Sequence, residues 1–145
     1  MAKDIDPHFW GESGWTMFTA PALTFPLEPT DEDRERITSF YKNFGFGLPC
    51  TRCRRNYAVG VEHSPPDVSC RRALTLWALN VHNRVNESLG RPAWDTRRSL
   101  QHWTNKFGCA FMIQGYEDVV PQSNALLISL AALIAASAIG QTSNQ

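Results

Sequence analysis

Two cysteines separated by two residues, Cys50 and Cys53, are the side chains of this sequence best suited to chemistry. At this spacing they can close a small disulfide ring across one turn of a helix. Pro49 favours a helix that begins at Cys50, where unpaired N–H groups and the helix dipole stabilise a thiolate. Nearby arginines add positive charge: Arg52, Arg54 and Arg55. The pattern predicts a thiol pair that is oxidised and reduced reversibly.

The same cysteines have two other interpretations. They can be an inert buried pair that packs like small apolar side chains. They can also be half of a zinc site, since the spacing C-x2-C-x9-H-x6-C supplies four suitable ligands: Cys50, Cys53, His63 and Cys70. That site needs a suitable loop at Pro65-Pro66, and a second CxxC is missing. The spacing alone thus indicates redox or metal chemistry without deciding between them.

A second group of polar residues lies in the stretch His82-Asn83-Arg84-Val85-Asn86. On a helix, four residues of this region share one face: His82, Val85, Asn86 and Leu89. A face that mixes ring, amide and aliphatic groups suits a polar, partly aromatic ligand. The alternative is an ordinary surface with a solvated histidine and two solvated asparagines.

Five tryptophans are many for this length: Trp10, Trp15, Trp77, Trp94 and Trp103. Their flat faces can enclose a planar ring system, although core packing is the simpler explanation for any one of them, and Trp77 is predicted to be core. A CxxC pair, a His/Asn face and surplus aromatic rings together indicate a redox disulfide beside a flavin. The sequence has no GxGxxG motif and no βαβ pattern, so neither a Rossmann cofactor site nor a thioredoxin fold is supported.

Length and composition limit the possible classes of protein. The 145 residues, 43% of them hydrophobic, suffice for one domain with a core. Fourteen basic and fourteen acidic residues cancel, which leaves no basic excess for binding nucleic acid. Four cysteines are too few for a disulfide-rich secreted scaffold, and the first residues lack the apolar run of a signal peptide.

The elements that must position these residues are all predicted to be helices. Apolar residues recur at spacings of three and four, and no stretch alternates long enough to form a sheet. Thr30 is predicted to cap the second helix, and Gly45 and Gly47 to end it. The expected helices are 11–24, 31–44, 50–60, 67–89 and a shorter fifth from about 96. The fold class is therefore all-α, a four-helix bundle with a short fifth helix.

The C-terminal stretch 125–140 is uncharged and consists mostly of Leu, Ile and Ala. We expect a further apolar helix here, in an extension (111–145) that follows the bundle domain (1–110). Its row of small residues permits close contact with another helix: Ala132, Ala136 and Gly140. The stretch falls short of the ~20 residues that usually span a bilayer, so a membrane anchor and a helix packed on protein both stay open.

From Gly11 to Trp103 the sequence resembles the Erv/ALR family of FAD-dependent sulfhydryl oxidases. The family's Pro-Cys-x-x-Cys is present as Pro49-Cys50-Thr51-Arg52-Cys53, and its HNxVN motif is complete as His82-Asn83-Arg84-Val85-Asn86. Shorter matches surround these two motifs: Gly11 with Trp15, Phe25-Pro26, Pro29-Thr30, Leu89-Gly90-Arg91-Pro92, Trp94-Asp95 and Trp103. A CxxC followed by Trp77 and HNxVN at this separation is a specific combination.

The resemblance implies a helical bundle that holds FAD at its mouth, usually as a homodimer. Cys50 would be the cysteine that meets incoming thiols and Cys53 the cysteine next to the flavin, from which electrons pass to dioxygen and yield hydrogen peroxide. The residues implied in FAD binding are Gly11, Trp15, Thr19, His82, Asn83, Val85, Asn86, Leu89, Arg91, Trp94 and Trp103. Among them, Arg91 would pair with the diphosphate, and Trp94 and Trp103 would pack on the adenosine part.

Some positions depart from the family pattern. Thr19 replaces a histidine of the first motif, which alters a usual FAD contact, and Glu12 stands where many members carry arginine. The family's structural disulfide is absent, because Glu62 and Ala73 occupy its positions.

The remaining cysteines, Cys70 and Cys109, match no family position, and no second cysteine pair is present to act as a shuttle. In this the chain resembles the minimal members found in large DNA viruses, which hand disulfides to a separate thioredoxin-like protein. The expected partners are therefore a thioredoxin-like thiol protein and dioxygen. If the chain is viral, the host cytoplasm or the virion is the expected location, with 125–140 as a contact to membrane.

Overall fold

The structure is a computed structural model that describes residues 3–108 together with 115 and 116. Five α-helices follow one another in this part of the chain: α1 (Pro7–Leu23), α2 (Asp31–Phe44), α3 (Thr51–His63), α4 (Arg71–Ser88) and α5 (Thr96–Phe107). A short 3-10 helix, Gly45–Gly47, follows α2. None of the described residues forms a β-strand, so the predicted all-α class with four helices and a shorter fifth is confirmed for this region.

The chain divides into two compact units between Ala93 and Trp94. The first contains α1 to α4, and the second contains α5. The expected extension 111–145 lies outside the described residues except for positions 115 and 116, and its apolar stretch 125–140 lies outside them entirely. In the part that is described, no helix combines the length and the apolar character needed to cross a membrane.

Helix α1 begins at Pro7, before the predicted start at Gly11. The carboxylate of Asp6 accepts a hydrogen bond from the N–H of His8 (2.9 Å), and Pro7 occupies the first turn, where its fixed φ suits a helix. The prediction followed the apolar periodicity, which begins only further along. The cap therefore sets the start of α1, and the periodicity does not.

Helix α2 begins after Thr30, as predicted, with a complete capping box. Oγ1 of Thr30 accepts a hydrogen bond from the N–H of Asp33 (3.2 Å), and the Asp33 carboxylate accepts one from the N–H of Thr30 (2.9 Å). The hydrogen bonds from the side chain and backbone of Thr30 lower the pKa of Asp33. Helix α2 ends at Phe44, so the predicted stop at Gly45 is also confirmed.

The predicted end of α3 and the predicted start of α4 are both wrong. Helix α3 continues past Gly60 to His63, because an isolated glycine weakens a helix without ending it. Helix α4 starts at Arg71, after the predicted start at Asp67. The Asp67 carboxylate accepts hydrogen bonds from the N–H (3.1 Å) and Oγ (2.7 Å) of Ser69, and these local bonds hold the stretch outside the helix.

Phe18 is the centre of the core of the first unit. Its ring contacts those of Tyr41 (5.1 Å between centroids), Phe44 (5.0 Å), Tyr57 (6.0 Å) and Trp77 (5.7 Å), so one side chain of α1 joins α2, α3 and α4. The predicted core position of Trp77 is confirmed, since only 6% of it is exposed. Each such pair contributes about 0.5–1.5 kcal/mol beyond the burial of area. This cluster fixes α3 and α4 against α1.

Candidate active site

Cys50 and Cys53 form a disulfide at the N-terminus of α3, with their Cα atoms 5.2 Å apart. Cys50 is the N-cap residue, and its Sγ accepts a hydrogen bond from the N–H of Cys53 (3.1 Å). The predicted bond between the two sulfurs is present, so they are not packed as separate thiols. Because they occupy the first turn, the helix dipole stabilises a thiolate formed on reduction.

The residues of the alternative zinc set do not form a ligand cluster. The sulfurs of Cys50 and Cys53 are bonded to each other, Cys70 Sγ caps α4, and Nδ1 of His63 lies 2.8 Å from a carbonyl oxygen of its own helix. Within the described residues, no group of three or more His, Cys, Asp or Glu side chains is placed to hold a metal ion. The zinc interpretation is therefore not supported.

The two bonded cysteines differ in exposure. Cys50 is 8% exposed, whereas Cys53 is half-buried. Burial therefore does not favour Cys50 as the residue that meets incoming thiols, and that assignment depends on the family resemblance. A largely apolar cavity of about 330 Å³ adjoins the residue before Cys50 and is lined by Trp10, Ser13, Gly14, Met17, Phe44, Gly47, Leu48 and Pro49. Sequence reasoning missed this cavity because its walls come from separate segments.

Two residues that precede α1 hold the backbone on both sides of Cys50. The Asp4 carboxylate accepts hydrogen bonds from the N–H (2.9 Å) and Oγ1 (2.8 Å) of Thr51, and the Ile5 N–H donates to the carbonyl of Pro49 (2.8 Å). The bond from the Thr51 backbone, then that from its side chain, lowers the pKa of Asp4. Sequence reasoning missed these contacts, because no local pattern links residues so far apart in the chain.

The arginines of α3 supply the positive charge that the sequence predicts near the cysteine pair. All three are exposed: Arg52, Arg54 and Arg55. The Nε of Arg54 donates a hydrogen bond to the carbonyl of Leu48, which ties this side chain to the segment leading into Cys50. The guanidinium charge of Arg54 is therefore held close to the first turn.

The HNxVN stretch lies at the C-terminal end of α4. The ring of His82 stacks on that of Trp15 in α1, with centroids 4.0 Å apart and planes inclined by 17°. Val85 and Leu89 are 37% and 59% exposed, whereas Asn86 is buried. This end of α4 thus combines a stacked ring pair with exposed aliphatic side chains. His82 and Asn86 are thus not the solvated side chains of the alternative interpretation. That this face binds a ligand stays a prediction.

The other expected cofactor residues of the first unit lie on α1 and after α4. Gly11 and Thr19 are spaced by four residues on either side of Trp15, on one face of α1. Gly11 is half-buried, and Thr19 is almost completely buried. Asn83 of α4 is half-buried, and Arg91 is exposed after the turn that ends the helix.

The second unit contains two of the expected cofactor residues. Trp94 is half-buried, with the Arg98 guanidinium 4.4 Å from its ring centroid and the His102 ring at 5.1 Å. Trp103 is buried and stacks on Phe107, with centroids 5.6 Å apart. These contacts fix both indole rings within the second unit.

Comparisons with known proteins agree with this geometry. The family model described as Erv1 / Alr matches residues 12–107, which include the cysteine pair and the HNxVN stretch. A relative in Acanthamoeba polyphaga mimivirus, named "Probable FAD-linked sulfhydryl oxidase", is 38% identical over 60% of this chain and 63% of its own length. Another in Invertebrate iridescent virus 6, also named for FAD-linked sulfhydryl oxidase, is 32% identical over 69% of this chain and 96% of its own length.

A solved structure shares the fold. The FAD binding domain of Erv1 from Saccharomyces cerevisiae is 26% identical, with a TM-score of 0.62, over 80% of this chain and 98% of that domain. The match to the whole mitochondrial FAD-linked sulfhydryl oxidase of that yeast spans only 49% of its length, at 29% identity over 64% of this chain. The family model covers most of the chain, from within α1 to the end of α5. The chain therefore belongs to the Erv1/Alr family.

Proposed function

We propose that this chain is a FAD-linked sulfhydryl oxidase that forms disulfides in thiol substrates. The observation that carries the proposal is the Cys50–Cys53 disulfide at the N-terminus of α3. It lies in the region matched by the Erv1/Alr family, whose relatives are named FAD-linked sulfhydryl oxidases.

The first unit presents groups that fit a flavin. Exposed Val85 and Leu89 offer aliphatic contact to a planar ring, and the stacked pair of Trp15 and His82 borders this face. Further proposed contacts are Gly11, Thr19, Asn83 and Asn86, with Arg91 at the diphosphate and Trp94 and Trp103 at the adenosine part. Bound FAD would supply the two-electron acceptor between the cysteine pair and dioxygen, which becomes hydrogen peroxide.

The chemistry of the chain's own residues is thiol–disulfide exchange. A substrate thiolate attacks Sγ of Cys50, the bond to Cys53 breaks, and Cys53 leaves as a thiolate in the first turn of α3. The second substrate thiol loses its proton and attacks the mixed disulfide, so that the substrate disulfide forms and Cys50 leaves as a thiolate. The substrate has then lost two electrons and the pair has gained them. The N-terminus of α3 and its arginines stabilise both thiolates.

The proposed substrate is a thioredoxin-like protein that presents a thiol pair, which is what the resemblance to the minimal viral members implies. A homodimer is proposed from the family resemblance, and sedimentation of the purified protein tests it. The division into a bundle (1–110) and an extension (111–145) also remains a proposal, with 125–140 as an apolar helix in contact with membrane or protein. If the chain is viral, as these two relatives are, the proposed location is the host cytoplasm or the virion.

The absorption spectrum of the purified protein tests the function directly. We expect a flavin band that bleaches when dithiothreitol is added without oxygen and returns when air is admitted. Tris(hydroxypropyl)phosphine, a second disulfide reductant of different chemistry, should bleach the same band through the same pair. A protein that stays colourless after refolding with FAD would overturn the proposal.

A further inference from the structure

Three hydrogen bonds attach the segment before α1 to the redox turn, and a fourth ties that segment to α1 itself. The indole N–H of Trp10 donates to the carbonyl of Ile5 (3.0 Å), and the Ile5 N–H donates to the carbonyl of Pro49 (2.8 Å). The Asp4 carboxylate accepts from both donors of Thr51. A carboxylate from a distant part of the chain is thus fixed at the first turn of α3, one residue from Cys50.

The Asp4 carboxylate lies at the N-terminus of α3, where a cysteine thiolate would otherwise be the main negative charge. It takes up the N–H of Thr51, while the N–H of Cys53 bonds to Cys50 Sγ, so two of the free donors of the first turn are in use. The hydrogen bonds from Thr51 and the charge of Arg54 favour the ionised form of Asp4. Reduction of the disulfide then creates a second negative charge at the same helix end.

Two negative charges at one helix end repel each other, and this repulsion determines the direction in which Asp4 changes the reduction potential of the cysteine pair. A pair whose thiolate is stabilised is easier to reduce and is a stronger oxidant. An adjacent carboxylate destabilises the thiolate and makes the pair harder to reduce, whereas the neighbouring arginines stabilise the thiolate. The potential of the pair therefore depends on both kinds of charge.

We propose that Asp4 is a positioning residue that caps the first turn of α3 and holds the reduction potential of the Cys50–Cys53 pair below the value that the helix and its arginines alone would set. The inference rests on the proposed function only in requiring that this disulfide be reducible.

The test is the thiol–disulfide equilibrium of the full chain with dithiothreitol, measured for the wild type and for the variants Asp4→Asn and Asp4→Ala. Free thiols are alkylated, and mass spectrometry gives the fraction of protein with the pair reduced. Asn keeps the acceptor for Thr51 but removes the charge, so Asp4→Asn should shift the equilibrium toward the reduced pair by roughly two- to fivefold at low salt. Asp6→Asn is the matched control: it makes the same charge change in the same segment, on a residue that caps α1.

Two further readouts separate charge from structure. The thiol of reduced Asp4→Asn should react with iodoacetamide at lower pH than that of the wild type, and the shift in equilibrium should shrink at about 1 M salt, where the Debye length is about 3 Å. A potential unchanged in Asp4→Asn but changed in Asp4→Ala would overturn the proposal, as would an equal shift in Asp6→Asn. None of these readouts requires flavin or oxygen, so they stand or fall separately from the oxidase activity.

Discussion

The rings of Trp15 and His82 lie face to face, 4.0 Å apart between centroids. One belongs to α1 and the other to α4, so the stack brings together the two sequence motifs that the resemblance connects with FAD. Phe18, one turn after Trp15, contacts it edge to face (5.6 Å) and anchors it to the core cluster. The stack is therefore a fixed border of the proposed flavin face.

Replacing His82 tests that border. Because His82→Ala removes the stacked ring, we expect FAD to bind roughly two- to tenfold more weakly, which is the range for loss of one aromatic contact. Titration of refolded protein with FAD, followed by flavin fluorescence, measures the change. Asn80→Ala, on an exposed residue of the same helix, should bind FAD like the wild type. Equal affinity of His82→Ala and Asn80→Ala would contradict the placement of FAD at this face.

The cysteine pair permits a second test. Cys50→Ser and Cys53→Ser each break the disulfide, and we expect each to abolish thiol oxidation while FAD stays bound. Oxygen consumption with dithiothreitol measures the activity, and the flavin spectrum measures the bound cofactor. Full activity in either single variant would show that the pair is not the route of the electrons.

The matched control for this test is Cys70→Ser. Cys70 is a free thiol whose Sγ caps α4, and serine is itself a good N-cap, so the helix should form normally. We expect this variant to keep the full rate of oxygen consumption. A loss as large as that in the variants of the pair would mean that serine at any cysteine position is disruptive.

The local signals in the sequence were sufficient for the features that depend on neighbouring residues. Thr30 was predicted to cap α2, and Asp33, three residues later, completes a capping box with it. The disulfide between Cys50 and Cys53 likewise lies within one helical turn. The starts of α1 and α4 were missed where a short polar contact, such as Asp67 with Ser69, outweighed the apolar periodicity.

Contacts between distant residues could not be predicted in this way. Asp4 and Thr51 are joined by two hydrogen bonds, yet nothing in either local pattern indicates the other. The stack of Trp15 on His82 was missed for the same reason, although both residues were singled out separately. Such pairs are determined by how the helices pack, and periodicity gives the buried face of each helix without its partner.

The capping box predicts a dependence of stability on pH. The pKa of Asp33 is lowered in the folded chain from its ordinary value of 3.8. The contribution of ionised Asp33 to the free energy of unfolding is therefore fully present above that value and is lost as the pH falls through the lowered pKa. Urea unfolding at a series of acid pH values should therefore show that the free energy of unfolding declines less with falling pH in Asp33→Asn than in the wild type. Glu35→Gln, an equal charge change at an exposed site of α2, should decline like the wild type. An unchanged decline in Asp33→Asn would contradict this.

Two glycines should respond in opposite directions to the same substitution. A Cβ on Gly45 would lie 2.5 Å from Cδ1 of Tyr57, a ring that its hydroxyl holds in place by donating to the carbonyl of Tyr41 (2.6 Å). Gly45→Ala should therefore lower the free energy of unfolding by about 1–3 kcal/mol, the usual cost of overpacking. Gly60, inside α3, has no atom within 4 Å of such a Cβ, so Gly60→Ala should raise it by roughly 0.5–1 kcal/mol. Urea unfolding measures both, and a Gly45→Ala protein as stable as the wild type would show that the 3-10 helix does not approach Tyr57 of α3 this closely.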